Sequence, residues 1–82
     1  MSPRASSERT LLDLYVINKV KEMRMQHGYS QAVLAVKLDV SDAFIGQIEN
    51  ANGTKRYNLS HLNKLARIFN CSPRLFLPEE PV

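Results

Sequence analysis

Only two residues, Asp39 and Val40, separate two short segments of helical character. The first runs from Gln31 to Leu38 behind Ser30, and the second from Asp42 to Asn50 behind Ser41. Each serine stands where an N-cap hydroxyl accepts from the unpaired amides of a helix's first turn. Asp42 in the first turn of the second segment also suits the helix dipole. A two-residue link admits nothing but a tight turn, so the turn fixes the angle at which the segments cross. Steep crossing needs close backbones, and the small Ala35 permits it. Val33, Leu34, Ala35 and Leu38 supply the inner face of the first segment. Ile45 and Ile48 point inward from the second, which leaves its polar side outside the core.

The flanks read as further helices. From Glu8 to His27, Leu14, Ile17, Val20 and Met23 recur at three- or four-residue spacing, the mark of one buried stripe. Gly28 ends that helix in a left-handed conformation. Leu11, Leu12, Tyr15 and Val16 add apolar surface that one stripe does not need. Ala51 to Tyr57 is a polar loop: its Asn52-Gly53 pair is flanked by no alternating strands. A fourth helix starts at Asn58 or Ser60 and carries Leu62, Leu65, Ala66 and Phe69 on one face, with Asn70 as C-cap. Ser72-Pro73 opens a short fifth helix through Leu77, which Pro78 stops. The expected fold is all-α, a compact five-helix bundle: a flexible arm at residues 1–7, one domain at 8–78 and a tail at 79–82.

Size and composition bound the chemistry. A chain of 82 residues buries roughly 60–65% of its unfolded surface, enough for one core but not for a deep catalytic cleft beside it. The net charge of +3 is too small to argue from, but its distribution is informative. No acidic residue lies between Glu49 and Glu79, whereas Lys55, Arg56, Lys64, Arg67 and Arg74 do. Solvated helix faces account for such residues equally well, except that Lys55 and Arg56 share a loop, a better position for touching a phosphate. The single cysteine, Cys71, makes no internal disulfide or metal site and fits a reducing cytosol. No apolar run approaches the ~20 residues of a membrane span, and residues 1–9 are polar, unlike a signal peptide. A cytoplasmic protein is expected. His27 and His61 have no cysteine partner at ligand spacing and read as surface or capping residues. The serines at 30, 41, 60 and 72 read as caps or turn residues, and no glycine-rich phosphate loop occurs. Neither a catalytic constellation, a metal nor a cofactor is expected.

Two short helices crossing at a tight turn make a helix-turn-helix, whose outer helix fits a DNA major groove ~12 Å wide. The run Ser30-Gln31-x-x-Leu34-Ala35, then Val40-Ser41-x-x-x-Ile45-x-x-Ile48-Glu49-Asn50, resembles the phage repressor and Cro family, the Xre-type helix-turn-helix. Arg24 precedes Gln31 by seven residues, where that family carries an arginine pairing with the glutamate that matches Glu49. Leu62-x-x-Leu65-Ala66-x-x-Phe69-x-x-Ser72-Pro73 is similar to the family's fourth and fifth helices. The resemblance spans about Leu14 to Leu77 and implies a lambda-repressor-like DNA-binding domain. Two departures stand out. Asp39 replaces the usual glycine at a left-handed turn position, which Asp tolerates at some cost. Gly46 lies inside the third helix, costing about 1 kcal/mol against alanine; either something approaches the backbone there or the helix is weak.

The candidate base-reading face is Asp42, Ala43, Gly46 and Gln47, since Ile45 and Ile48 turn inward. Gln47 is suited to a bidentate contact with adenine, Ala43 to a thymine methyl and Asp42 to a cytosine amino group. Asp42 is equally a helix-dipole residue, Phe44 packs on the domain or enters the groove, and Tyr57 is a core lid or a phosphate donor. The resemblance assigns a phosphate contact to Gln31, supported by the amides at that helix's N-terminus. It also places Asn50, Asn52, Lys55 and Arg56 where relatives grip the backbone, although the asparagines serve turns as readily. Arg24 and Glu49 form the structural ion pair. Two function classes follow. One is a transcriptional regulator of double-stranded DNA, a repressor acting as a homodimer on a pseudo-palindrome. The other is a protein-interaction or antitoxin-like module of the same fold, kept open because Asp42, Ala43 and Gly46 are poor base readers. Candidate dimer surfaces are Leu11, Leu12, Tyr15 and Val16, or Leu75, Phe76 and Leu77; core packing explains the second set better.

Overall fold

The computed structural model describes residues 8–82, so the arm read at residues 1–7 lies outside the described residues. Four α-helices and one 3-10 turn follow in order: α1 Leu11–Gln26, α2 Gln31–Leu38, α3 Asp42–Glu49, α4 Leu59–Phe69 and the turn Pro73–Phe76. The described residues contain no strand. The fifth helix is thus a single 3-10 turn. Ser72-Pro73 and Pro78 leave room for little more than one turn, bounded by bonds from Leu75 N–H to Ser72 O and from Leu77 N–H to Arg74 O.

Helix ends follow their capping chemistry. α1 starts at Leu11, not Glu8, because Thr10 and Asp13 form a reciprocal capping box. The Thr10 hydroxyl accepts from Asp13 N–H at 3.1 Å, and the Asp13 carboxylate accepts from Thr10 N–H at 2.8 Å. α2 and α4 both end on left-handed residues: Asp39 at φ 62° and Asn70 at φ 54°. Each has the paired amide-to-carbonyl bonds that close a helix C-terminus, with Val40 N–H on Ala35 O and Cys71 N–H on Ala66 O. At the start of α4, Asn58 caps His61 N–H while the His61 ring accepts from Asn58 N–H. His61 is therefore a capping residue.

The core unites all five elements: Val16, Ile17 and Val20 from α1, Leu34, Ala35 and Leu38 from α2, Ile45 and Ile48 from α3, Leu62, Leu65, Ala66 and Phe69 from α4, then Tyr57 and Phe76. The α1 stripe is rotated from its expected position. Leu14 is exposed and Val16 buried. The inner stripe passes through Asp13, Val16, Ile17, Val20 and Arg24, so it starts and ends on residues that form ion pairs across the domain. Those pairs settle which of two overlapping apolar stripes faces in. Val33 is also exposed, because α2 needs only Leu34, Ala35 and Leu38 inside. Val16 and Phe76 leave the two candidate dimer sets for the core. One remaining member of each set comes together: Leu12 and Leu77 line one open apolar depression, with Leu59 and Leu62.

Asp13 also binds the loop. Arg56 Nη1 donates to its Oδ2 at 2.8 Å. Burial raises the Asp13 pKa, but hydrogen bonds from Thr10 and Arg56 and the Arg56 charge outweigh it and hold the carboxyl below its ordinary 3.8. A depressed carboxyl pKa contributes stability that is complete above the unfolded value and lost as pH falls through the folded one. Asp13→Asn is expected to destabilise the domain at pH 7. Urea melts of variant and wild type should converge as pH falls below about 4, and a gap independent of pH would refute this assignment.

Candidate nucleic-acid interface

α3 is held by one side only. Ser41 Oγ accepts from Phe44 N–H at 3.2 Å and starts the helix. Ile45 and Ile48 are wholly buried, while Asp42, Ala43 and Gln47 are exposed and Gly46 is half-buried. The exposed positions fall at i, i+1 and i+5 with Gly46 at i+4, a continuous strip along one helix face. Phe44 lies at the strip's edge and turns to the domain, packed against the core with its ring 5.3 Å from that of His61.

Gly46 is informative about what opposes that face. A β-carbon there would meet nothing closer than Gln31 Oε1, at 3.5 Å. That is ordinary van der Waals contact, so the protein's own packing does not require glycine. The same contact places Gln31, at the start of α2, alongside the middle of α3.

A buried ion pair orients α3. Arg24 Nε and Nη2 donate to the two Glu49 carboxylate oxygens at 2.8 Å each, and Nη1 donates to Tyr29 O at 2.7 Å. The side chains are 11% and 3% exposed, respectively. Gln31 Nε2 adds a third bond to Glu49, at 3.1 Å. The Arg24–Glu49 pair therefore ties α1, the α1–α2 link and the start of α2 to the end of α3. Tyr57 lies in the core, its hydroxyl enclosed with no partner among the described residues. Burial and the Glu49 charge push its pKa well above the ordinary range, against a smaller opposing effect of Arg24. It is a core residue that stays protonated, not a surface donor.

The loop after α3 contains the remaining candidates. Asn50 Oδ1 accepts from Asn52 N–H at 3.0 Å, a local turn, and both asparagines are exposed. Lys55 is exposed. Arg56 points toward α1, onto Asp13. One residue escaped the sequence reading. Arg9 reaches across to donate to four carbonyls: Gln47 O at 3.1 Å, Ile48 O at 3.0 Å, Asn50 O at 2.7 Å and Lys55 O at 2.9 Å. The available signal was indirect. α3 has no basic residue in its last turn and ends on Asn50 in an extended conformation, unlike the left-handed ends of α2 and α4. Its last carbonyls therefore needed a donor from elsewhere.

Among the described residues, no group of three or more His, Cys, Asp or Glu is placed to hold a metal. None of their helices is long and apolar enough to cross a membrane. A short helix braced behind a second one, with the outer face of the second open, defines a helix-turn-helix domain. The chain belongs to the helix-turn-helix family HTH_3, whose model matches residues 20–76, and is of the phage repressor and Cro (Xre) type. No curated protein matches the chain. Among solved structures, it is similar to the restriction-modification controller protein C.AhdI from Aeromonas hydrophila, at 25% identity and TM-score 0.65, covering 77% of this chain and 92% of that one. It is similar at 26% identity and TM-score 0.68 to an HTH_3 family transcriptional regulator from Vibrio cholerae, covering 88% of this chain and 38% of that longer one. SinR, a master regulator of biofilm formation solved in complex with DNA, shares the fold at 24% identity and TM-score 0.62, with 74% and 95% covered.

Removing one partner of a buried pair strands the other charge and costs about 3–5 kcal/mol. A domain of this size has roughly 4–12 kcal/mol in total. Arg24→Ala is expected to lose a large fraction of its stability, read as a large fall in the urea midpoint. An unchanged midpoint would remove the pair from its orienting role.

Proposed function

We propose that this protein is a sequence-specific DNA-binding transcriptional regulator that inserts α3 into the major groove. In this reading it is cytoplasmic and acts as a repressor. It binds as a homodimer to a pseudo-palindrome with half-sites ~34 Å apart. Gln47 reads adenine, Ala43 meets a thymine methyl and Asp42 faces a cytosine amino group or serves the helix dipole. Gln31 keeps one amide proton beyond its bond to Glu49, and that proton reaches a phosphate beside the N-terminal amides of α2. Asn50, Asn52 and Lys55 position the backbone. Arg56 drops out of the phosphate set, because the Asp13 carboxylate already neutralises it. The dimer forms through the depression shared by Leu12, Leu59 and Leu77.

The observation that supports the reading best is Gly46. A β-carbon there would make only ordinary contact with Gln31 Oε1, so the domain offers no steric reason for glycine, and glycine inside a helix costs about 1 kcal/mol against alanine. A cost without return in the free protein is accounted for by a ligand that approaches the backbone at that point. The controller and regulator relatives agree with this class of partner.

Duplexes selected from a random-sequence pool test the proposal. Binding to the selected duplex should weaken with salt at a log–log slope near −0.9 per phosphate neutralised. Gln47→Ala should reduce the preference for that duplex over mixed-sequence DNA by about tenfold, which is ~1.4 kcal/mol. Equal loss on both duplexes would overturn the base-reading assignment, and failure to select any duplex would favour the protein-interaction module. Gly46→Ala separates stability from function. It should raise the melting temperature and, in the same preparation, weaken binding to the selected duplex.

A further inference from the structure

The start of α1 and the loop after α3 are joined by two arginines running in opposite directions. Arg9, just before α1, donates to the carbonyls of Gln47, Ile48, Asn50 and Lys55. Arg56, from the loop, donates back to Asp13 in the first turn of α1. Between them they hold the end of α3 and the loop at residues 50–56, which also has a local turn at Asn50 and the bond from Gly53 N–H to Asn50 O at 3.0 Å.

The two arginines do different work. Arg56 makes an ion pair, whereas the four acceptors of Arg9 are all main-chain oxygens. A guanidinium has five N–H groups in a planar fork. Four bonds leave it one, so Arg9 is largely spent inside the protein. Its positive charge lies against the negative end of the α3 dipole. Its fork stops α3 after Glu49 and fixes the direction in which the chain leaves. Gly53 completes the arrangement: a β-carbon there would lie 2.6 Å from Gln47 O and 3.1 Å from Arg9 Nη2. The main-chain oxygen of Gln47 alone excludes a side chain there, and Arg9 closes the same gap.

We propose that Arg9 is a positioning residue for DNA recognition, holding the end of α3 and the Lys55 loop in their binding geometry through main-chain carbonyls without itself contacting a base. This rests on the DNA-binding reading above. Gln47, the base reader of that reading, has its carbonyl on Arg9, and Lys55, its phosphate contact, has its carbonyl there too. Without the fork, the last α3 carbonyls lose their donor and the loop loses one of its two arginine ties to the start of α1, so both side chains are less firmly placed. Ordering them on binding then lowers affinity.

The test compares wild type, Arg9→Ala, Arg9→Lys and Gly53→Ala in the full chain, on the selected duplex and on mixed-sequence DNA. Amide hydrogen exchange is followed in the DNA-free proteins. Arg9→Ala is expected to speed exchange at Gly53 and in the loop, leave the α1 and α4 core amides unchanged, and weaken binding to the selected duplex about tenfold. Arg9→Lys keeps the charge but loses the fork, so it should fold and still bind several-fold more weakly than wild type. Gly53→Ala, which presses on the same carbonyl, should reproduce the effect. In a Lys55→Ala background, Arg9→Ala should cost less than in wild type, because it acts partly through that residue. Three results would overturn the proposal: full binding by Arg9→Lys, binding by Arg9→Ala within twofold of wild type, or exchange accelerated equally throughout the domain. Failure of the wild type to select any duplex is a different outcome. It removes the DNA-binding reading, while the exchange data still report whether Arg9 holds the loop.

Discussion

Glu49 is the junction on which the domain's geometry depends. Its nearly buried carboxylate takes two bonds from Arg24 and one from Gln31, and its position at the last residue of α3 makes it the place where three helices meet. A buried carboxylate is costly unless its lone pairs are occupied, so the energetic penalty of misplacing it doubles as a geometric specification. Hydrophobic burial of Ile45 and Ile48 says that α3 sits on the core; it leaves rotation and sliding of the helix loosely defined. Directional bonds to a planar fork remove that freedom.

The turn between α2 and α3 adds a second constraint. Asp39 adopts the left-handed backbone that glycine would adopt more easily, and Ala35 is fully buried beneath the crossing. Together with the Glu49 junction, the turn and the small contact residue define α3 at both ends and in the middle. The outer strip is then free of any structural duty, which explains how residues as unassertive as Ala43 and Gly46 can occupy it without loss to the fold.

Much of this was legible in the sequence because capping and periodicity are local. Ser30, Ser41, Asn58 and Ser72 marked their elements, and Leu62, Leu65, Ala66 and Phe69 gave a single unambiguous stripe. α1 was harder. Leu11 to Val20 contains two overlapping apolar stripes, and the choice between them was made by ion pairs to residues 56 and 49, far along the chain. The fifth helix was overestimated because N-cap and proline signals announce a start but say nothing about whether a full α turn will fit before Pro78. Arg9 was invisible for a related reason. An arginine that binds main-chain carbonyls more than 37 residues away has no partner identity to look for, since every residue has a carbonyl.

The donors that α3 receives from upstream carry a consequence for where the folding unit begins. Segments 30–50 contain the whole recognisable motif, yet the donors that finish α3 come from residue 9 and the fork that orients it from residue 24. A peptide excised at the motif's borders would keep the pattern by which it is recognised and lose the anchors that give the pattern a shape. The tethers of this domain, like its core, thus reach well upstream of the two helices that define its family.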